Sequence, residues 1–397
     1  MKKLTLAFTV IALSACTHTQ QSPAKQQLKL NQIQVLGTHN SYSGFVEPKL
    51  LAALAKTADS KIAGFMRNMS PEQIAVFKEE HPNPMNFAEG FNYGFTSLTD
   101  QLNHGVRGLE IDLHRDPEGG RFMHPAGYAM LTAQGLQQDS LLPHDKTDLQ
   151  KPGLKVLHMA DLDFRSSCNL FTRCLQEMKQ WSDANPSHAP IFVMLEAKGK
   201  GLDGFPGATE VLRFDQAAYA SMDHDIIQVL GRERVITPDD VRGSYHTLEA
   251  AVRAHNWPTL ANSKGKFVFM LIAAGDTSDL GYYAASRPNL EGRVAFLRSS
   301  PGRTYSAFVL MDNAIVRQED IQALVKQGYL VRTRSDIETY EAKVNDQSRA
   351  RAAFSSGAQV ISTDFYKPGN FYRTDYHVTL PQDAEADFRC NPVNADC

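Results

Sequence analysis

Eight short apolar runs recur along the chain, each followed by a stretch of helical or loop character. They are "QIQVLGT", "VRGLEIDLH", "LKVLHM", "PIFVMLEAK", "KFVFMLIA", "SAFVLMD", "YLVRTRSD" and "AQVISTDF". Each is rich in Val, Ile, Leu or Phe and too short for a core helix, which predicts buried strands. Between them, "SLTDQLNHG" opens on hydroxyl residues and stops at Gly105, and "EDIQALVKQG" stops at Gly328. The segment "LFTRCLQEMKQWSDANP" carries Leu170, Cys174, Leu175, Met178 and Trp181 on one stripe. These patterns predict helices. Strand and helix alternating eight times predict a single α/β unit, a parallel (β/α)8 barrel of the TIM type. A doubly wound open sheet has the same periodicity, because a pattern along the chain does not register ring closure. A chain of 397 residues, 42% hydrophobic, can fill such a barrel with insertions to spare.

Outside that repeat the chain divides unevenly. The start, "MKKLTLAFTVIALSAC", has two lysines and then an apolar run too short to span a bilayer. Its end, "LSAC", resembles the lipobox of bacterial lipoprotein signals. The resemblance implies removal of residues 1–15, lipidation of Cys16 and a membrane anchor; a plain secretory signal is the alternative. Either predicts an exported protein, and the first places it as a lipoprotein on the outer membrane, its periplasmic face or the cell surface. Polar residues 16–31 read as a flexible tether, 32–380 as the barrel domain and 381–397 as a C-terminal tail. A long link after the first strand, residues 41–104, contains "HPNPMNFAEGFNYGF" and reads as an insertion over one barrel end, a lid or a plain loop. Besides Cys16 there are four cysteines. Two local disulfides, Cys168–Cys174 and Cys390–Cys397, are the economical pairing in an exported chain, the second pinning the tail.

Function in such a barrel concentrates at the C-terminal strand ends. The first strand ends in His39 and Asn40. The second alternates, setting Glu110, Asp112 and His114 on one face. His158 ends the third, Glu196 and Lys198 the fourth, Arg332 and Arg334 the seventh, and Asp364 the eighth. Converging carboxylates repel one another and resist burial, and a cation relieves both costs. Asn40, Glu110, Asp112 and Glu196 offer an all-oxygen shell, which suits calcium, or magnesium, better than zinc. His39 and His158 are then available for proton transfer. Lys198, Arg332 and Arg334 suit an anionic substrate, phosphate first. Metal, two histidines and cations together point to phosphodiester cleavage. The net charge of −3 gives no basic excess for nucleic acid, and a monomer is expected.

The motifs "THNSY", "GVRGLEIDLH", "KVLHMADLDFRSSC" and "PIFVMLEAK", with "GYLVRTRSD" and "SGAQVISTDFY", resemble the calcium-dependent phosphatidylinositol-specific phospholipase C family of bacteria and fungi. They are also similar to the catalytic barrel of animal phosphoinositide phospholipases C. The resemblance runs from about residue 32 to 380. It implies His39 and His158 as the catalytic histidines and Asn40, Glu110, Asp112 and Glu196 as the metal ligands. It further implies a substrate of the phosphatidylinositol type. The inositol 2-hydroxyl would attack the phosphate, releasing diacylglycerol and a cyclic inositol phosphate.

Plainer readings stand beside these. Glu110 and Asp112 can pair with Arg107 or Arg115, and Glu196 with Lys198. Arg332 and Arg334 can brace carboxylates such as Asp364. His114 and His124 are alternative second histidines. Glycerophosphodiesterase-like and sphingomyelinase-D-like barrels share a His, Glu-x-Asp, His order, but the former place Arg where this chain has Asn40. A non-catalytic, membrane-tethered binder of lipid or glycan is the remaining alternative.

Overall fold

The computed structural model describes residues 27–84, 86–202, 206–273, 279–382, 384–385 and 387–395. Residues 1–15, Cys16, the tether up to residue 26, and Cys397 lie outside the described residues. Leu28, Leu30 and Asn31 are buried, and the Leu30 N–H donates to the Pro258 carbonyl at 2.9 Å. Among the described residues no helix is long and apolar enough to cross a membrane.

The strands are β1 (Ile33–Thr38), β2 (Gly108–His114), β3 (Lys155–Val156), β4 (Ile191–Lys198), β5 (Val235–Ile236), β6 (Phe267–Ala273), β7 (Phe296–Leu297), β8 (Phe308–Asn313), β9 (Leu330–Arg334), β10 (Val360–Thr363) and β11 (Arg389–Cys390). Their spatial order is β5-β6-β4-β2-β1-β10-β9-β8, with β7 on β6. These pairings are parallel. The sheet curls into a TIM-like half-barrel, and a parallel bridge between Arg298 and Phe308 joins the β7 side to β8. Helices cover its outside. The stripe Cys174, Leu175, Met178 and Trp181 on the helix Phe171–Ala184 is buried against it.

The run "LKVLHM" is not a parallel stave. Only Lys155–Val156 is strand, and it runs antiparallel to Leu113–His114. The reason is edge occupancy. Along its whole length β2 pairs with β4, while β1 reaches only Gly108 on the other edge. The far end of that edge is left for β3. Conversely, β7 is a parallel strand that periodicity missed, because two residues carry no period.

Gly37 and Gly108 sit opposite each other where β1 meets β2. A Cβ on Gly108 would lie 2.6 Å from Val360 Cγ1 and 2.9 Å from Gly37 Cα. The pair lets the tip of β1 lean onto β2, which is the physical sense of the glycines in "VLGTHN" and "VRGLEID".

The Cys168–Cys174 disulfide is present. Cys390 is also disulfide-bonded, and the Cys397 half of the expected second bridge is outside the described residues. What ties the tail visibly is strand pairing, Ile33 with Cys390 and Gln34 with Arg389, and the Arg107–Asp387 ion pair at 2.9 Å. The insertion holds helices Pro48–Arg67, Pro71–Glu80 and Leu98–Asn103. Arg317 grips Glu79 at 2.5 and 2.6 Å, and Asn313 donates to the Glu79 carbonyl at 2.9 Å. These contacts dock the second helix beside the barrel mouth.

Candidate active site

At that mouth a cavity of about 570 Å³ is lined by His39, Glu110, Glu196, Arg332 and Arg334, with Glu79, Glu80 and His81 of the insertion on one wall. The turn after β1 builds its centre. Asn40 has a left-handed backbone, φ 47°, which Asn tolerates better than most residues. Thr38 and Ser41 hydroxyls lie 2.7 Å apart. The Ser41 N–H donates to the Glu110 carbonyl at 2.9 Å, and the Glu110 N–H donates to Ser41 Oγ at 2.8 Å. The small hydroxyl residues around His39 and Asn40 thus fasten this turn to β2.

Strand register does the rest. Asp112 stands directly opposite Glu196, and Glu110 lies two residues back on the same face. Ligand atoms of Glu110, Asp112 and Glu196 all fall within 4.8 Å of one another. Asp112 is fully buried, and the Lys198 ammonium lies 2.8 Å from its Oδ2. Three carboxylates beside one ammonium leave negative charge that a further cation offsets. Burial, followed by the charges of its acidic neighbours and opposed by Arg332, pushes Glu110 up to about 8. Burial likewise raises Asp112 to about 6, against the pull of Lys198. Burial also raises Glu196, but Lys198 outweighs it and holds Glu196 below the usual range. Asn40 donates to the Tyr93 hydroxyl at 2.8 Å and accepts from the Tyr42 hydroxyl at 3.4 Å. Burial and the Asp112 charge keep that Tyr42 phenol protonated, so Asn40 and Asp112 meet across one ring. Three clustered carboxylates and a nearby amide oxygen fit a hard divalent ion.

Each histidine has its own carboxylate. His39 Nδ1 lies 3.0 Å from Asp364 Oδ1, and His158 Nδ1 lies 2.9 Å from Asp163 Oδ2. Burial, then the charges of Arg334 and Arg332, hold His39 well below the ordinary imidazole value. His39 is therefore neutral, with Nδ1–H on Asp364 and Nε2 available as a base. His158 lies close enough to His39, Asp112 and Glu196 to influence all three, which places it in the same cluster. His114 does not join it. Its ring is buried against Phe122, Nε2 faces the His158 carbonyl at 3.4 Å, and burial lowers it to about 3. His124 lines a different cavity together with His144.

The three basic residues divide. Lys198 Nζ lies 2.8 Å from Asp112 and 2.7 Å from Glu196. Arg332 is spent on Glu110 at 2.7 Å, on Asp312 and on Ser362, the bracing role that arginines at a barrel mouth often take. Arg334 reaches Asp364 at 3.3 Å and His39 at 3.4 Å, and its Nε has no hydrogen-bond partner. Arg107 and Arg115 pair elsewhere, with Asp387 and Asp215. Asp163, Asp312 and Tyr93 escaped the sequence reading. Asp163 lies inside "HMADLDF", five residues after His158, and its acidic side chain there was the available signal.

A family model described as Ca2+-dependent phosphoinositide phospholipase C matches residues 28–392. No curated protein sequence matches the chain. Among solved structures, a calcium-dependent phosphoinositol-specific phospholipase C from a Gram-negative bacterium, Pseudomonas sp, is 17% identical with a TM-score of 0.50. The match covers 90% of this chain and 95% of that one. A Ca2+-dependent phosphatidylinositol-specific phospholipase C from Streptomyces antibioticus is 20% identical with a TM-score of 0.47, covering 85% and 95%. The first likeness carries the fold, and the family match carries the activity, a calcium-dependent phospholipase C. With β2 and β4 in register, one acidic cluster and a histidine beside it just after β1, the chain belongs to the Ca2+-dependent phosphoinositide phospholipase C family.

Proposed function

We propose that the protein cleaves phosphatidylinositol-like phosphodiesters to diacylglycerol and a cyclic inositol phosphate, with His39 as base and His158 as acid. One observation carries the assignment: two imidazoles, each with Nδ1 held by its own carboxylate, beside one acidic cluster. His39 takes the proton of the inositol 2-hydroxyl at Nε2. The 2-oxygen then bonds to phosphorus as the bond from phosphorus to the glycerol oxygen breaks. His158 gives its proton to the departing glycerol oxygen. Asp364 and Asp163 fix the tautomers and steady each imidazolium. Arg334, which lines the cavity with its side chain 13% exposed, holds a phosphate oxygen. Asn40, Glu110, Asp112 and Glu196 hold calcium, which when bound supplies positive charge against the charge developing on oxygen.

Residues 1–15 are a signal, Cys16 is lipidated, and the monomeric enzyme works from an outer-membrane or cell-surface anchor. The lysines and "LSAC" support this, and the Cys168–Cys174 bridge supports an oxidising compartment. The parallel strands form a complete ring, a reading supported by the Arg298–Phe308 bridge. Phosphorus NMR of a phosphatidylinositol digest with calcium, with magnesium and with chelator tests the chemistry. A cyclic product that requires calcium is expected. Free alcohol with no cyclic intermediate would favour the glycerophosphodiesterase-like alternative, and binding without cleavage would favour the non-catalytic one.

A further inference from the structure

Lys198 stands inside the acidic cluster. Its ammonium lies 2.8 Å from Asp112 Oδ2 and 2.7 Å from Glu196 Oε2, and its side chain is 12% exposed. Its placement follows from the strand. Lys198 is two residues beyond Glu196 on β4 and opposite His114 on β2, so it shares the face that carries the acids. Among the described residues these two carboxylates are the partners of the ammonium. Arg332, by contrast, divides itself among Glu110, Asp312 and Ser362, and so belongs to the wall.

We propose that Lys198 is a built-in counter-cation that sets the calcium threshold of the site, by holding two of its carboxylates with a positive charge of its own. The proposal rests on Glu110, Asp112 and Glu196 being the calcium ligands. A calcium ion bound by carboxylates sits about 2.3–2.6 Å from their oxygens. An ammonium on the same two carboxylates is then only a few ångströms from the ion. Like charges so close, in a buried site, repel strongly. Whether the lysine swings aside or stays, calcium binds against its charge. Without calcium, the same ammonium offsets two carboxylates that would otherwise repel each other, so the empty site keeps its shape. The device thus trades affinity for stability: a weak, preformed site that fills only at high calcium. Sites of that kind bind calcium at about 10⁻⁴–10⁻³ M.

The test is calorimetric titration of calcium chloride into the full protein and two neutral variants. K198M removes both the charge and the donor. K198Q removes the charge but keeps an amide donor for the carboxylates, which guards against a variant that fails to fold. K198R keeps the charge. Tightening of at least about tenfold is expected in K198M and K198Q, with K198R near wild type. Thermal melts in chelator should place the neutral variants below wild type, and added calcium should raise their melting temperature by more. Equal or weaker calcium binding in both neutral variants would overturn the proposal, because it would make Lys198 a residue that orients the ligands. If wild type and variants alike show no calcium binding, the ligand assignment itself fails, a result distinct from the first.

Discussion

Asp364 Oδ1 lies 3.0 Å from His39 Nδ1, although 325 residues of chain separate the two. His158 repeats the arrangement locally with Asp163, five residues on. A carboxylate so placed fixes the tautomer that leaves Nε2 for chemistry. Asp364→Asn and Asp163→Asn should each lower kcat about 10–100-fold. His39→Ala and His158→Ala should cost about 10²–10⁴-fold. Turnover of a soluble inositol phosphodiester, with circular dichroism as the control for folding, measures this. Full activity in either alanine variant would remove that histidine from the mechanism.

Calcium binding and pH should be coupled. Glu110 and Asp112 are raised to about 8 and about 6 by burial, so both must lose protons to bind the ion. Affinity should therefore rise between about pH 6 and 8, with proton release visible in buffers of different ionisation heat. The stability sign is opposite. A raised carboxyl pKa favours the folded apoprotein most below the unfolded values, 4.5 and 3.8. That contribution is lost as pH rises through about 6 and about 8. In chelator, Glu110→Gln should raise the melting temperature relative to wild type by more at pH 8 than at pH 5.5, a comparison in which the unchanged histidines cancel. A pH-independent calcium affinity would contradict this.

Arg332 and Arg334 should fail differently. Arg332→Met leaves Glu110 and Asp312 without their shared cation, and breaking a buried pair costs about 3–5 kcal/mol. Denaturant unfolding in chelator should show that loss. Arg334→Ala should lower kcat/KM about 10–100-fold, the worth of one charged hydrogen bond to phosphate. An Arg334→Ala variant with unchanged kcat/KM would refute the phosphate role.

Gly108→Ala puts a methyl group 2.6 Å from Val360 Cγ1. Relieving that clash means parting β1 from β2 or shifting β10. A loss of about 1–3 kcal/mol in thermal unfolding is expected. Unchanged stability would show that the close approach is not required.

The apolar runs determined by themselves an α/β chain of parallel strands, and "THNS", "LEIDLH" and "MLEAK" determined which residue types stand at the strand tips. Local pattern suffices there, because side-chain alternation along a strand is set by the backbone. It also placed the helix stripe of Cys174, Leu175, Met178 and Trp181 in the core, because helical periodicity is equally local. It did not place "LKVLHM". Whether a short apolar run becomes a stave or an antiparallel appendage depends on which edge of β2 is free, and only the paired sheet decides that. The same holds for the site. Register brought Asp112 opposite Glu196 and Asp364 beside His39, and charge pairing committed Lys198 and Arg332 to carboxylates. Each is a relationship between residues far apart along the chain, and distance in space is fixed by the closing of hydrogen-bonded strands, which no single stretch of sequence contains.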